Sequence, residues 1–192
     1  MTMLYLASQS PRRSDLLRSI GVDFQVEPAQ NFKEIEHSNQ LAHELVLINA
    51  EGKAQEIAQK HPESLVLGVD TVGAFHDHVL EKPKDKDDAF RMLKMLQGTT
   101  HEVLSGLCLI QGSKKRTHIE STHITFLPLT DEEIWAYIET GEPMDKAASY
   151  AAQGIGGLFI EKIEGDYFNV VGLPLYRLNL MLKEFDINLL TD

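Results

Sequence analysis

A mixed α/β fold is predicted by three features of the sequence. Short apolar, β-branched runs such as "LYLA" at 4–7 and "LVLGVDTVGAF" at 65–75 read as buried strands. Stretches with apolar residues at helical spacing lie between such runs, the first carrying Leu16, Leu17 and Ile20. Strands and helices are interspersed without strict alternation, which fits a mixed twisted sheet with flanking helices better than a doubly wound parallel one. With 192 residues and 43% hydrophobic content, the chain can bury one substantial core, so a single domain over 1–192 is expected.

The first helix follows the opening strand at once, with Ser10 at the cap position and Pro11 as first helical residue. "DFQVEP" is a short strand leaving through "AQNFKEIEHSN", which reads as a mobile, functional loop. Residues 40–60 have helical periodicity, with Leu41, Leu45, Ile48 and Ile57 on or near one face and Gly52 as a weak point. "HDHV" turns the apolar strand into a second one ending at "LEKP". "DKDDAFRMLKMLQG" is a helix with acids in its first turn, Lys94 late and Gly98 as the stop. Strands "HEVLSGLCLIQG" and "THIESTHITFLPL" follow, separated by a basic turn "SKKR". Thr130 and Glu133 form a capping box for a helix ending at Gly141. A strand at "LFIEKI", a turn at "EGD" and a last helix after Pro174 with Leu178, Met181, Leu182 and Phe185 complete the pattern.

Charge narrows the function. The formal net charge of -11 repels nucleic acid unless positive charge is gathered locally, whereas a small anion needs only a few convergent cations. The single cysteine, Cys108, excludes an internal disulfide framework and reads as a core thiol. No run approaches the roughly 18 apolar residues of a membrane span, and no charged leader precedes a long apolar segment, so a cytoplasmic protein is expected.

Arg12 and Arg13 fall in the first turn of a helix, an end that already carries unpaired N–H groups and partial positive charge. An anion would resolve that conflict, and Ser8, Ser10, Arg12 and Arg13 together read as an anion site at a strand–helix turn. Asp70 stands in a strand otherwise built mostly of Leu, Val and Gly, which seldom tolerates a charge without a task; capping a turn or pairing with a buried lysine is the plainer alternative. If the strands about "HDHV" form a hairpin, Lys82 and Asp70 approach each other at its base. Lys53, between helix positions, reads on its own as a solvated lysine, although its stem could cross an apolar face toward a cleft. Glu34 and Glu36 could help hold a divalent cation but read more simply as loop charges. His76, His78, His118 and His123 lack zinc-ligand spacing with suitable partners, and "GIGG" at 154–157 lacks the full dinucleotide-loop spacing and reads as a turn.

Taken in order, "LASQSPRRSDLL", "GVDTV", "EKP", "EPMDKAASYAAQGIGG" and "GDYFNVVGLPL" make the sequence similar to the Maf family of nucleoside triphosphate pyrophosphatases. The resemblance implies an elongated two-lobed fold of the inosine-triphosphatase kind with a central cleft, and a homodimer. It implies hydrolysis of a nucleoside triphosphate to monophosphate and pyrophosphate with Mg²⁺ or Mn²⁺. The branch acting on dTTP and UTP carries the residue types found here as Arg12, Thr71 and Gln153, with modified pyrimidine triphosphates as further substrates. By the same match Asp70 is the proton acceptor, with Lys53 and Lys82 as companion cations; joined to the reading of the residues, it has Ser8, Arg12 and Arg13 hold the triphosphate and Asp70, with Glu34 from the loop, hold the metal. Gly52 and Gly73 depart from the family, which usually has a longer polar and an apolar residue there. Two other readings compete: a nucleotide-sensing regulatory protein linked to cell division arrest, and a pyrophosphatase for noncanonical purine triphosphates.

Overall fold

Strand and helix signals translate into seven strands and six helices in the computed structural model, which describes residues 3–35 and 41–191. In chain order these are β1 (Leu4–Leu6), α1 (Pro11–Ser19), β2 (Phe24–Val26), α2 (Ala42–Lys60), β3 (Leu65–Phe75), β4 (His78–Leu80) and α3 (Lys86–Leu96). Then come β5 (Thr100–Gln111), β6 (Lys114–Phe126), α4 (Asp131–Glu139), three single 3-10 turns between 142 and 159, β7 (Ile160–Glu164), α5 (Tyr167–Val171) and α6 (Leu175–Lys183). The sheet runs β2-β1-β3-β5-β6-β7, with β4 added to β3. It is mixed: β1 pairs parallel with β2 and β3, while β3 with β4 and β6 with β7 are antiparallel.

The chain groups into two compact units, one of residues 1–70, 105–120 and 172–192, the other of 71–104 and 121–171. In the first unit, Ala50, Ala54, Ile57 and Ala58 of α2 pack with Val66, Cys108 and Ile110 of the sheet. Small residues there permit a very close helix–sheet approach. A Cβ on Gly68 would sit 2.1 Å from the Ala50 carbonyl oxygen, and one on Gly106 2.2 Å from that of Val46. Gly68 precedes Asp70 by two positions in β3, so this approach brings α2 against the segment of strand that carries the carboxylate. We expect Gly68→Ala to destabilise the protein by about 1–3 kcal/mol, since backbone rather than a flexible side chain must yield; thermal unfolding checks it.

The second unit has its own core, in which α3 (Ala89, Met92, Leu93, Leu96) and α4 (Ile134, Tyr137, Ile138) pack with Phe126, Tyr150 and Phe159. Both helices are capped: Asp85 accepts from the Asp88 N–H, and Thr130 with Glu133 closes the capping box expected from the sequence.

Several expectations need correction. Of the four residues expected on one face of α2, Leu45 and Ile57 are buried, but Leu41, at the cap position, and Ile48 are 71% and 37% exposed, and the buried set also includes Asn49 and Lys53. The turn between β5 and β6 is Gly112–Ser113, with Lys114, Lys115 and Arg116 already in strand; Lys114 and Arg116 bond to Glu184 and Lys115 to Glu51. Leu158 and Phe159 close a 3-10 turn instead of starting β7, and α5 carries no advance signal beyond the motif it lies in. The loop after β2 is pinned along its described part. Glu56 accepts from the N–H groups of Gln30, Asn31 and Phe32 at 2.7–2.9 Å. These bonds, led by Gln30, outweigh burial and hold the Glu56 carboxyl down at about 2. Residues 36–40, Glu36 among them, lie outside the described residues.

Candidate functional site

Because β1 and β3 are parallel and in register from Leu4↔Leu65 to Leu6↔Leu67, the chain leaving β1 emerges just short of Asp70 on β3. It enters the turn 7–10, and α1 follows. Ser10 occupies the cap position but makes no side-chain cap bond. Ser8 Oγ instead accepts from the Ser10 N–H at 3.3 Å and from Arg13 Nη1 at 2.8 Å. Arg13 is buried, and its Nε donates to the Gly172 carbonyl at 2.9 Å. The conflict of cations at a helix N-terminus is thus met in part from within. With both acceptor positions of the Ser8 hydroxyl filled, its O–H is the group it can present to an anion. Burial lowers the Arg13 guanidinium to about 10, and the Asp70 charge opposes that fall, as Glu34 does to a smaller extent. Arg13, Asp70 and Glu34 therefore act within one electrostatic field.

Asp70 is 8% exposed, and the cation opposing it is on α2: Lys53 Nζ lies 2.8 Å from Asp70 Oδ1. The same ammonium is 3.0 Å from Glu34 Oε1. Lys53 is itself buried, so the reading of it as a solvated helix lysine is overturned, and an ion-paired stem crossing an apolar face is what the fold builds. The β3–β4 ladder runs from Gly73↔Leu80 to Phe75↔His78 and stops there, so the hairpin expected to bring Lys82 to Asp70 does not extend to either residue.

One participant was missed by sequence reasoning. Asn49, 1% exposed, donates from Nδ2 to Asp70 Oδ2 at 3.2 Å. Its Oδ1 accepts from the Ile35 N–H at 2.8 Å, and Nδ2 also reaches the Ile35 carbonyl at 3.2 Å. Asn49 therefore ties Asp70 to the loop that carries Glu34. The available signal was a pair of polar residues at i and i+4, Asn49 and Lys53, flanked on the helix by Leu45, Ala50, Ala54 and Ile57.

Glu34 and Asp70, both in contact with the Lys53 ammonium, offer hard oxygen donors, which fits Mg²⁺ or Mn²⁺, cations that take one or two carboxylates and complete their shell with phosphate and water. Among the described residues no cluster of three or more His, Cys, Asp or Glu forms a ready-made cage. His76, His78 and His123 are exposed, and Cys108 is fully buried with its thiol pushed up to about 12 by burial.

Three further candidates belong to the second unit. Thr71 follows Asp70 in β3, half-buried; Lys82 is exposed just after β4; Gln153 is exposed, in the turn before the 3-10 segment Ile155–Phe159. The two family departures have steric causes. A Cβ on Gly52 would fall 2.1 Å from the Phe32 ring, and one on Gly73 2.6 Å from Ala148 Cβ. Both glycines make room for a neighbour that packs on them.

Among the described residues no helix is long and apolar enough to cross a membrane. The sequence model for Maf-like protein matches residues 3–185. A dTTP/UTP pyrophosphatase of Bacillus pumilus is 46% identical over 187 residues, covering 97% of this chain and 98% of that protein. One of Acetivibrio thermocellus is 46% identical over 199 residues, covering 99% and 98%. Among solved structures, a HAM1 protein of Coxiella burnetii superposes with a TM-score of 0.51 at 13% identity, covering 96% of this chain and all of that one, and the Ham1 protein of Staphylococcus aureus with 0.51 at 11%, covering 95% and 99%. The fold is shared with these two, and by the match across nearly its whole length the chain belongs to the Maf family.

Proposed function

We propose that this protein hydrolyses dTTP and UTP to the monophosphate and pyrophosphate. The observation that carries the reading is Asp70, a buried carboxylate fixed on one oxygen by Lys53 and on the other by Asn49, beside the turn that presents Ser8. Near full-length relatives at 46% identity that are named dTTP/UTP pyrophosphatases support the substrate.

In this reaction Asp70 orients a water molecule and accepts its proton as the water oxygen bonds to phosphorus; the bridging P–O bond breaks and pyrophosphate leaves. The Ser8 hydroxyl donates to a phosphate oxygen, and Arg12, near the α1 N-terminus, adds a forked cation to the N–H groups of that end. Arg13, buried and bonded to Ser8, keeps the hydroxyl oriented and contributes charge. Lys53 exchanges a carboxylate for a phosphate oxygen when substrate arrives, stabilising charge as the anhydride opens. Asp70 and Glu34 would hold Mg²⁺ or Mn²⁺, whose chemistry is to neutralise phosphate charge. Lys82 as a second phosphate cation, Gln153 as reader of the pyrimidine edge and Thr71 as its neighbour are assigned on the motif match. A homodimer accompanies the reading on the same basis, and a cytoplasmic setting is proposed with it.

Pyrophosphate release from a panel of nucleoside triphosphates tests it. Turnover led by dTTP and UTP is the expected result. Turnover led by purine triphosphates, or nucleotide binding without turnover, would overturn the reading.

A further inference from the structure

The Glu142 carboxylate enters a loop of backbone. Its Oε1 accepts from the Gly156 N–H at 3.0 Å and from the Tyr137 hydroxyl at 2.9 Å, and its Oε2 from the Ile155 N–H at 2.9 Å. Tyr137 Oη in turn accepts from the Ala151 N–H at 3.2 Å. One chain of hydrogen bonds thus pins both shoulders of the segment 151–156, and Gln153 stands between them.

The glycines of "GIGG" have their explanation here. A Cβ on Gly154 would lie 2.6 Å from both Glu142 carboxylate oxygens, and one on Gly156 2.7 Å from Tyr137 Oη. Only residues without side chains let the carboxylate and the phenol reach the backbone. Burial raises the Glu142 carboxyl, but the N–H groups of Gly156 and Ile155 and the Tyr137 hydroxyl outweigh it and leave the group below its ordinary value. The carboxylate form is therefore the acceptor for all three donors. Tyr137 is raised, chiefly by burial, so it stays a neutral donor.

We propose that Glu142 and Tyr137 are positioning residues for base selection, holding the 151–156 loop so that the Gln153 amide is presented in one orientation. This rests on the assignment of base reading to Gln153 made above. A glutamine at 142 would be nearly isosteric, yet its NH₂ group would face an N–H or O–H donor, so the loop would lose an anchor while the surrounding core stays filled.

The test compares kcat/KM for dTTP and UTP with that for dGTP and GTP in wild type, Glu142→Gln, Gln153→Ala and the double variant, with thermal unfolding alongside. Glu142→Gln is expected to lower the pyrimidine-to-purine ratio about tenfold, mainly through KM for the pyrimidines, as small misplacements of a contacting group do. Gln153→Ala should lower it at least as much, and the double variant no further than Gln153→Ala. If Gln153→Ala shifts the ratio but Glu142→Gln slows all four substrates in proportion, the positioning role is overturned while the base-reading role stands. An unchanged ratio in Gln153→Ala overturns both. If Glu142→Gln does not fold, Tyr137→Phe carries the same comparison, with the same outcomes deciding.

Discussion

Asp70→Asn lowers turnover of dTTP and UTP by about 10²–10⁴-fold, the range expected for loss of a positioned general base. The substitution keeps shape and burial but removes the one group in the Lys53–Asn49 pair of contacts that can take a proton. The amide can still meet one donor with its oxygen, while its NH₂ must oppose the other, Lys53 Nζ or Asn49 Nδ2. Nucleotide binding survives, because removing a negative charge near the triphosphate lessens repulsion of a polyanion. Single-turnover pyrophosphate release, with binding followed by calorimetry, separates the two effects. An Asp70→Asn protein within a few-fold of wild-type turnover would remove Asp70 from the mechanism.

Lys53→Met produces the largest expected loss of stability at the site. Lys53 and Asp70 have side chains only 10% and 11% exposed, and taking away the ammonium leaves the carboxylate buried opposite no charge on α2. Breaking such a pair from one side costs about 3–5 kcal/mol, most of it the penalty of the stranded charge. Methionine fills the volume of the stem, so packing contributes little to the loss. Combined with Asp70→Asn, the same substitution should regain most of the lost stability, because no stranded charge remains, and the protein should still be inactive. Urea unfolding of the two single variants and the double variant gives the coupling between the residues. Additive losses would show that the pair is not the interaction holding α2 to β3 here.

These expectations rest on contacts of unequal legibility. Asp70 stood out in the sequence because a carboxylate in "LVLGVDTVGAF" contradicts its surroundings, and a local contradiction needs no tertiary information to be seen. Its partner did not stand out. Apolar periodicity placed Leu41 and Ile48 inside and left Lys53 to solvent, whereas the fold exposes the first two and buries Asn49 and Lys53. Hydrophobic patterning assumes that a buried helix face is apolar, and this face departs from that rule where it meets Asp70. Lys82 looked the better partner for Asp70 because it lay across an expected hairpin, but the ladder ends at Gly73–Leu80. In the same way "GIGG" read only as a turn, since nothing in those four residues says that Glu142 and Tyr137 occupy the space their missing side chains leave.

What is local could be read from the chain alone: most strands and helices, though not α5, the capping box of α4, the cation-bearing start of α1, the family through its ordered motifs, and the carboxylate at the centre of the proposed chemistry. Which side chains meet that carboxylate depends on packing between distant segments. Gly68 and Gly106 let α2 come close enough to the sheet for Lys53 and Asn49 to reach Asp70, and Asn49 joins it to the loop bearing Glu34. Partners 17 and 21 residues apart in sequence are brought together by strand register, helix rotation and a close approach of backbones. None of those is encoded in any single stretch of the chain.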